Sequence, residues 1–210
     1  LLVIDHYGID IKWEKKLRLK SNKIMVIDDL ADRNHDCDIL LDQNLVKNYK
    51  TRYKNLLPKK CISLLGPEYA LLQPEYQRLH KSTKSRIGEI KRILIFFGGS
   101  DQNNLTGLTL SIFLKLNRPD ILVDIVIDLK SRYAKKVKLM TNQHANITLH
   151  NDLPSLAFLM QKADLSIGAG GSTTWERCCL GLPAIIVVTG LNQKKIAEAM
   201  KSNRVAVTLK

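Results

Sequence analysis

Nine short apolar runs recur along the chain: LLVID (1–5), KIMVIDD (23–29), DILLDQN (38–44), CISLLGPEYALL (61–72), RILIFFGGSD (92–101), VDIVID (123–128), ITLH (147–150), LSIGAGG (165–171) and AIIVVTG (184–190). They are rich in Ile, Val and Leu and do not alternate with polar residues, which is the pattern of strands buried on both faces. Each is followed by a polar segment with helical spacing. Strand then helix, repeated, folds as a parallel sheet in βαβ units. Residues 73–91, QPEYQRLHKSTKSRIGEIK, break the rhythm with few apolar positions and read as a helix and linker. The chain therefore divides into a first α/β domain with its linker over 1–80 and a second over 91–210. The first carries three or four strands and no glycine-rich turn, the second at least five strands and two such turns.

Composition narrows the classes. Hydrophobic residues make up 45% of the 210 and charged residues 25%, as in a soluble globular domain. No apolar stretch approaches the roughly 20 residues that cross a bilayer, so no membrane insertion is expected. Cys37, Cys61 and the adjacent Cys178 and Cys179 suit neither a zinc site nor a disulfide framework, and a reducing, cytoplasmic setting fits them. The formal net charge of +13 invites a nucleic-acid reading. The lysines are, however, dispersed and not interleaved with stacking aromatics, so they read as a basic background that attracts an anionic metabolite. The chain opens on a strand-like run without Met, which reads as a fragment with its upstream part missing.

Chemistry concentrates in the two glycine-rich turns, each after a strand and before a helix. In the first, Gly98, Gly99 and Ser100 turn, and Asp101 or Asn103 is positioned to cap the helix that follows. In the second, Gly168, Ala169, Gly170, Gly171, Ser172 and Thr173 turn and Thr174 opens the helix. Missing side chains let a phosphate approach the backbone, helix-start N–H groups carry partial positive charge toward it, and the hydroxyls add donors. The same turns also serve tight packing. Neither GxGxxG at the required offset nor GxxxxGKS is present, so neither a dinucleotide fold nor a P-loop is indicated. Glu176, one turn farther on, suits the N-terminal end of a helix and can also accept two hydrogen bonds from a ribose diol. Phosphate and ribose together indicate a nucleotide. Cys178 and Cys179 are expected as buried packing residues on this helix.

Several motifs in order carry a resemblance: GGSD (98–101) with Asn104, Leu105 and Thr106; ADLSIGAGGSTTWERCCLGLPAIIV (163–187) with Asn192 and Gln193; IDHYGID (4–10); and DDLADRNHDCDILLDQN (28–44). Over nearly its whole length the chain resembles the UDP-diacetamido-trideoxy-sugar hydrolases of pseudaminic acid biosynthesis, relatives of the lipid-linked glycosyltransferases of peptidoglycan synthesis. The resemblance implies an α/β, GT-B-like fold of two Rossmann-like parallel-sheet domains, the N-terminal one truncated, with a UDP-sugar as partner and no cofactor or metal. It implies that residues 168–174 hold the pyrophosphate, Glu176 the ribose, and Gly98, Gly99 and Ser100 the cleft near the phosphates. Asn192 and Gln193 would lie near the sugar, and Tyr7 would face the active site, so Tyr7 and Asn192 are its candidate catalytic residues.

The family also carries a GxGHxxR segment whose histidine activates the attacking water, and these 210 residues contain none. His6, at a strand end, reads as structural. His35 lies in an Asn/Asp-rich turn whose spacing fits no common metal site. The expected activity is hydrolysis of a UDP-sugar at the anomeric carbon, with the general base missing from this stretch. The alternatives are a GT-B glycosyltransferase using the same donor, or a nucleotide-sugar-binding module without catalysis.

Overall fold

The computed structural model describes residues 1–99, 101–190 and 193–209. These form two compact units, Leu1–Leu71 and Leu72–Lys210.

The first unit is a four-stranded sheet of β1 (Leu2–Ile4), β2 (Ile24–Ile27), β3 (Ile39–Asp42) and β4 (Ile62–Leu65), side by side in that order. Every pairing is parallel. Helix α1 (Ile11–Arg18) starts where the Asp10 carboxylate accepts from the N–H groups of Lys12 and Trp13, satisfying two donors that a first turn leaves unpaired. Its core gathers Ile4, Ile24, Val26, Leu40 and Tyr53. Polar groups are buried beside it. The His35 Nδ1 lies 2.7 Å from Glu14 Oε1, and both side chains are fully enclosed. His35 is thus not the exposed turn residue that its Asn/Asp-rich neighbours suggest, because Glu14 on α1 draws the ring inward.

The second unit is a six-stranded parallel sheet in the order β10-β9-β8-β5-β6-β7. Its strands are β5 (Arg92–Phe96), β6 (Leu122–Val126), β7 (Ile147–His150), β8 (Leu165–Ala169), β9 (Ala184–Val187) and β10 (Ala206–Leu209). The chain runs outward from β5 through β6 to β7, then crosses back to lay β8 on the other side of β5. That reversal is the topological switch point, where parallel sheets open a crevice at their carboxyl ends. All nine apolar runs are strands, and β10 is the tenth.

The sheet is buried on both faces, as unalternating runs require. On one face Ile93 and Ile95 meet Leu110 and Phe113 of α3 (Leu105–Lys115) and Val137 of α4 (Ala134–Thr141). On the other, Leu94 meets Tyr76 of α2 (Pro74–Ser82), Met160 of α5 (Ala157–Lys162) and Leu180, just past α6 (Thr173–Cys179). The last helix is α7 (Gln193–Ser202).

Residues 73–91, read as a helix and linker, contain α2, and the stretch packs on the second unit. Tyr76 is 1% exposed in the second core, and Arg86 donates to the carbonyls of Met160, Ala163 and Leu180. Leu79 packs on the same core, and the His80 Nδ1 lies 2.6 Å from the Cys179 carbonyl, so several side chains attach this polar stretch to the second unit. At the other cap in question, Asp101 and not Asn103 closes the start of α3, accepting from Leu105 N and Thr106 N.

A charged ladder runs across β5, β6 and the edge strand β7. Asp124 on β6, 1% exposed, accepts from Arg92 Nε on β5 at 2.6 Å and stands 2.7 Å from His150 Nε2 on β7. Burial pushes its carboxyl up, but the bonds from Arg92 and His150 outweigh burial and leave it below the usual carboxylate value. Asp124→Asn is expected to cost about 2–3 kcal/mol at neutral pH, the range for lost hydrogen bonds to a charged group. A depressed carboxyl contributes stability above its unfolded value, lost as pH falls through the folded one. Urea unfolding at pH 7 and pH 3 should therefore find the gap between wild type and variant narrowing in acid.

Candidate functional site

The glycine-rich turns meet because β5 and β8 are neighbours across the switch point. Register aligns Phe96 with Gly168, so the segments that leave the two strands leave side by side. The first contains Gly98, with φ +88°, a left-handed value that favours glycine, and Gly99; Ser100 lies outside the described residues. A Cβ added at Gly98, Gly99 or Gly171 would meet nothing within 4 Å. These three positions border open space.

The residues of the second turn divide into different roles. Gly168 and Ala169 belong to β8, which runs two residues past its expected end, so neither lies in a loose turn. A Cβ on Gly168 would run into the Phe96 carbonyl, so this glycine serves strand packing. The Gly170 N–H donates to Gln193 Oε1 at 3.2 Å. That same oxygen accepts from Thr189 N and Thr189 Oγ1, so the Gln193 carbonyl ties the turn to the segment after β9 instead of facing a ligand. Ser172 makes no side-chain cap and is exposed. Thr174 is buried, and its hydroxyl accepts from Arg177 Nη2 at 3.3 Å, which removes it from the surface donors expected of it. Gly171, Ser172 and Thr173 are the part of the turn that remains available.

Beside it lies a cleft of ≈ 370 Å³ within the second unit, bordered by Gly99, Thr173, Glu176, Tyr76, Asp128 and Ser155 among others. That is the size of clefts that take small organic ligands, about 300–1,000 Å³. Glu176 supplies its most telling atom: Oε2 is buried and, among the described residues, has no hydrogen-bond partner. Burial pushes the Glu176 carboxyl up, while the facing Tyr76 hydroxyl and the Arg177 charge pull it back without cancelling the shift. Although the Tyr76 hydroxyl faces the group, Oε2 makes no hydrogen bond among the described residues, and a carboxylate oxygen so placed in a cleft wall can accept from a ligand hydroxyl.

Tyr76 and Arg177 escaped the sequence reading. Tyr76 sits in a segment read as a helix and linker, and nothing local signals that it faces Glu176. Arg177 follows Glu176 on a polar helix, where an arginine is ordinarily solvated, yet it is 2% exposed. Helix α6 ends in a Schellman turn, with Gly181 at φ +57°, Leu182 N donating to Arg177 O and Gly181 N to Cys178 O. Cys178, expected to be buried, is exposed, because the short helix directs it outward; Cys179 is half-buried.

In the first unit, Tyr7 follows β1 and is exposed; burial of its hydroxyl and then the Asp29 carboxylate push it up to about 12. Asn44 Nδ2 donates to Asp29 Oδ2 at 3.4 Å, so the carboxyl ends of β1, β2 and β3 gather Tyr7, Asp29 and Asn44. His6 Nδ1 accepts from Gly8 N at 3.0 Å, a local structural bond. Cys37 and Cys61, 24 positions apart, have their sulfurs 3.6 Å from each other as free thiols. Asn192 lies outside the described residues.

Two parallel-sheet, Rossmann-like units, one with a ligand-sized cleft at its switch point, define the GT-B class of folds. The solved structures agree: MurG of Acinetobacter baumannii superposes with a TM-score of 0.56 at 13% identity, over 95% of this chain and 56% of that one. Staphylococcus aureus MnaA, solved with UDP, gives 0.55 at 12% identity over 97% and 66%. By sequence, the chain is related to the UDP-2,4-diacetamido-2,4,6-trideoxy-β-L-altropyranose hydrolase of Campylobacter jejuni, at 32% identity over 181 residues, 86% of this chain and 63% of that protein. No protein-family model matches. The chain spans 40% to 63% of the length of the curated relatives it matches.

The two glycines can be told apart by substitution. Gly168→Ala forces strand-packing strain and is expected to lower stability by about 1–3 kcal/mol. Gly171→Ala, built into open space, should leave the melting temperature near that of wild type. Thermal unfolding of the two variants side by side checks the assignment.

Proposed function

We propose that the second unit binds the nucleotide of a UDP-sugar and that this chain is part of an enzyme hydrolysing a UDP-diacetamido-trideoxy sugar at the anomeric carbon. UDP and the free sugar would be the products, the latter feeding pseudaminic acid (nonulosonate) biosynthesis. The observation that carries the nucleotide reading is the unpartnered, buried Glu176 Oε2 in the wall of a cleft beside the open glycines 98, 99 and 171. The carboxylate accepts from a ribose diol, and the glycine turns leave room for a diphosphate. The 32% identity to the Campylobacter jejuni hydrolase supports the choice of reaction.

In this reading water attacks C1 on the face opposite the nucleotide, the C1–O bond breaks, and UDP departs with the bonding pair. Stabilising the charge that builds on the diphosphate is an electrostatic task for donors fixed in advance, here Gly171, Ser172 and Thr173. Gly168, Ala169, Gly170 and Thr174 support that turn from beneath. We assign catalytic roles to Tyr7 and Asn192, Tyr7 as a protonated hydroxyl, in keeping with its raised pKa. His6 and His35 are engaged in structural contacts, so neither is assigned as the base.

Glu176→Ala is expected to weaken UDP about tenfold or more, through loss of charge-assisted bonds to the ribose, while inorganic pyrophosphate changes little. Calorimetric titration with both ligands is decisive, and an equal loss for both would remove the ribose role.

The glycosyltransferase reading keeps one observation in its favour, the transferase folds among the structural neighbours. Incubation with a UDP-diacetamido-trideoxy sugar and no acceptor separates the two. Free sugar appearing with UDP is expected, and turnover that requires an added acceptor would instead assign a transferase.

A further inference from the structure

The guanidinium of Arg177 is enclosed by the second turn. Nη2 donates to the Ala169 carbonyl at 2.6 Å and to Thr174 Oγ1 at 3.3 Å. Nη1 lies 3.1 Å from where a Cβ on Gly168 would stand, against the strand backbone. Nε is buried and, among the described residues, has no partner. Among those residues no carboxylate makes an ion pair with the group; Glu176, its neighbour in sequence, acts on it only from a longer distance and borders the cleft.

An arginine this deeply buried is ordinarily paired, because enclosing a lone charge is costly. Neutralisation is not the escape here. Burial lowers Arg177 to about 10, so it remains charged at neutral pH. A brace for Ala169 O and Thr174 Oγ1 needs donors but no charge, so bracing alone leaves the cation unexplained. What lies one and two residues beyond Ala169 is Gly170 and then Gly171, where the surface opens.

We propose that Arg177 is a positioning residue whose missing counter-charge is the diphosphate of the bound nucleotide, felt through the Gly168–Gly171 backbone without direct contact. The proposal rests on the nucleotide reading above and adds the source of its selectivity for the charged ligand. In the low-dielectric wall of the turn, a fixed charge acts on a nearby anion with less screening than at the surface. Binding the diphosphate completes an ion pair that the free protein leaves half built.

The test compares uridine, UMP and UDP by calorimetry on wild type, R177M, R177Q and R177K, with thermal unfolding recorded for each. Wild type is expected to prefer UDP to uridine. In R177M and R177Q, UDP should weaken about tenfold and uridine little, collapsing that preference, while R177K, which keeps the charge, should restore most of it. A merely structural arginine would lower the melting temperature and weaken all three ligands alike. If R177M does not fold, R177Q against R177K gives the same comparison. Neutral variants that retain the wild-type ratio of UDP to uridine affinity would overturn the proposal while leaving the nucleotide site intact. A wild type that binds UDP no better than uridine would overturn both.

Discussion

The close approach of β5 and β8 governs the rest of the second unit. With Gly168 opposite Phe96, the β8 backbone lies against the Phe96 carbonyl, a contact that any side chain at 168 would break. That contact fixes where both strands end and therefore where both glycine turns begin. Arg177 then ties the end of β8 to α6, Gln193 ties Gly170 to Thr189, and the cleft opens between what these bonds leave uncovered. Few residues of the turn face a ligand, and the others hold those few in place.

Burial of charge is the second organising constraint, and it differs between the units. In the first, Glu14, His35, Asp28 and Arg33 enclose charges against one another: Arg33 lies 2.8 Å from Asp28, and Tyr53 also donates to that aspartate. These groups pack together at the carboxyl ends of a small sheet, although Asp28 Oδ1 and His35 Nε2 make no hydrogen bond among the described residues. In the second unit, Asp124 is likewise matched by Arg92 and His150. Arg177 and Glu176 each also keep a buried polar atom without a hydrogen-bond partner among the described residues, and both flank the same turn.

The strands, the two-unit organisation and the pair of glycine turns were legible in the sequence, since each follows from local physics: unalternating Ile, Val and Leu need two buried faces, and glycine before a helix start gives an open turn. Glu176 was legible as well, because its offset from the turn is a matter of one helical repeat. The division of labour within 168–176 was not. Thr174 and Ser172 are alike as sequence, yet one is turned inward by Arg177 and the other faces solvent. Gln193 reads as a ligand residue until its carbonyl is seen accepting three bonds from its own chain.

The sequence by itself determined which segments become strands and that two phosphate-compatible turns follow two of them, since those properties depend on neighbours within a few residues. Only the tertiary structure decided that β8 returns to the flank of β5, that Tyr76 on α2 faces Glu176, and that Arg177 is buried with no carboxylate in ion-pair contact. These depend on contacts between residues as far apart as 76 and 176. Hydrophobic spacing carries no record of such pairings, which exist only once the sheet has closed.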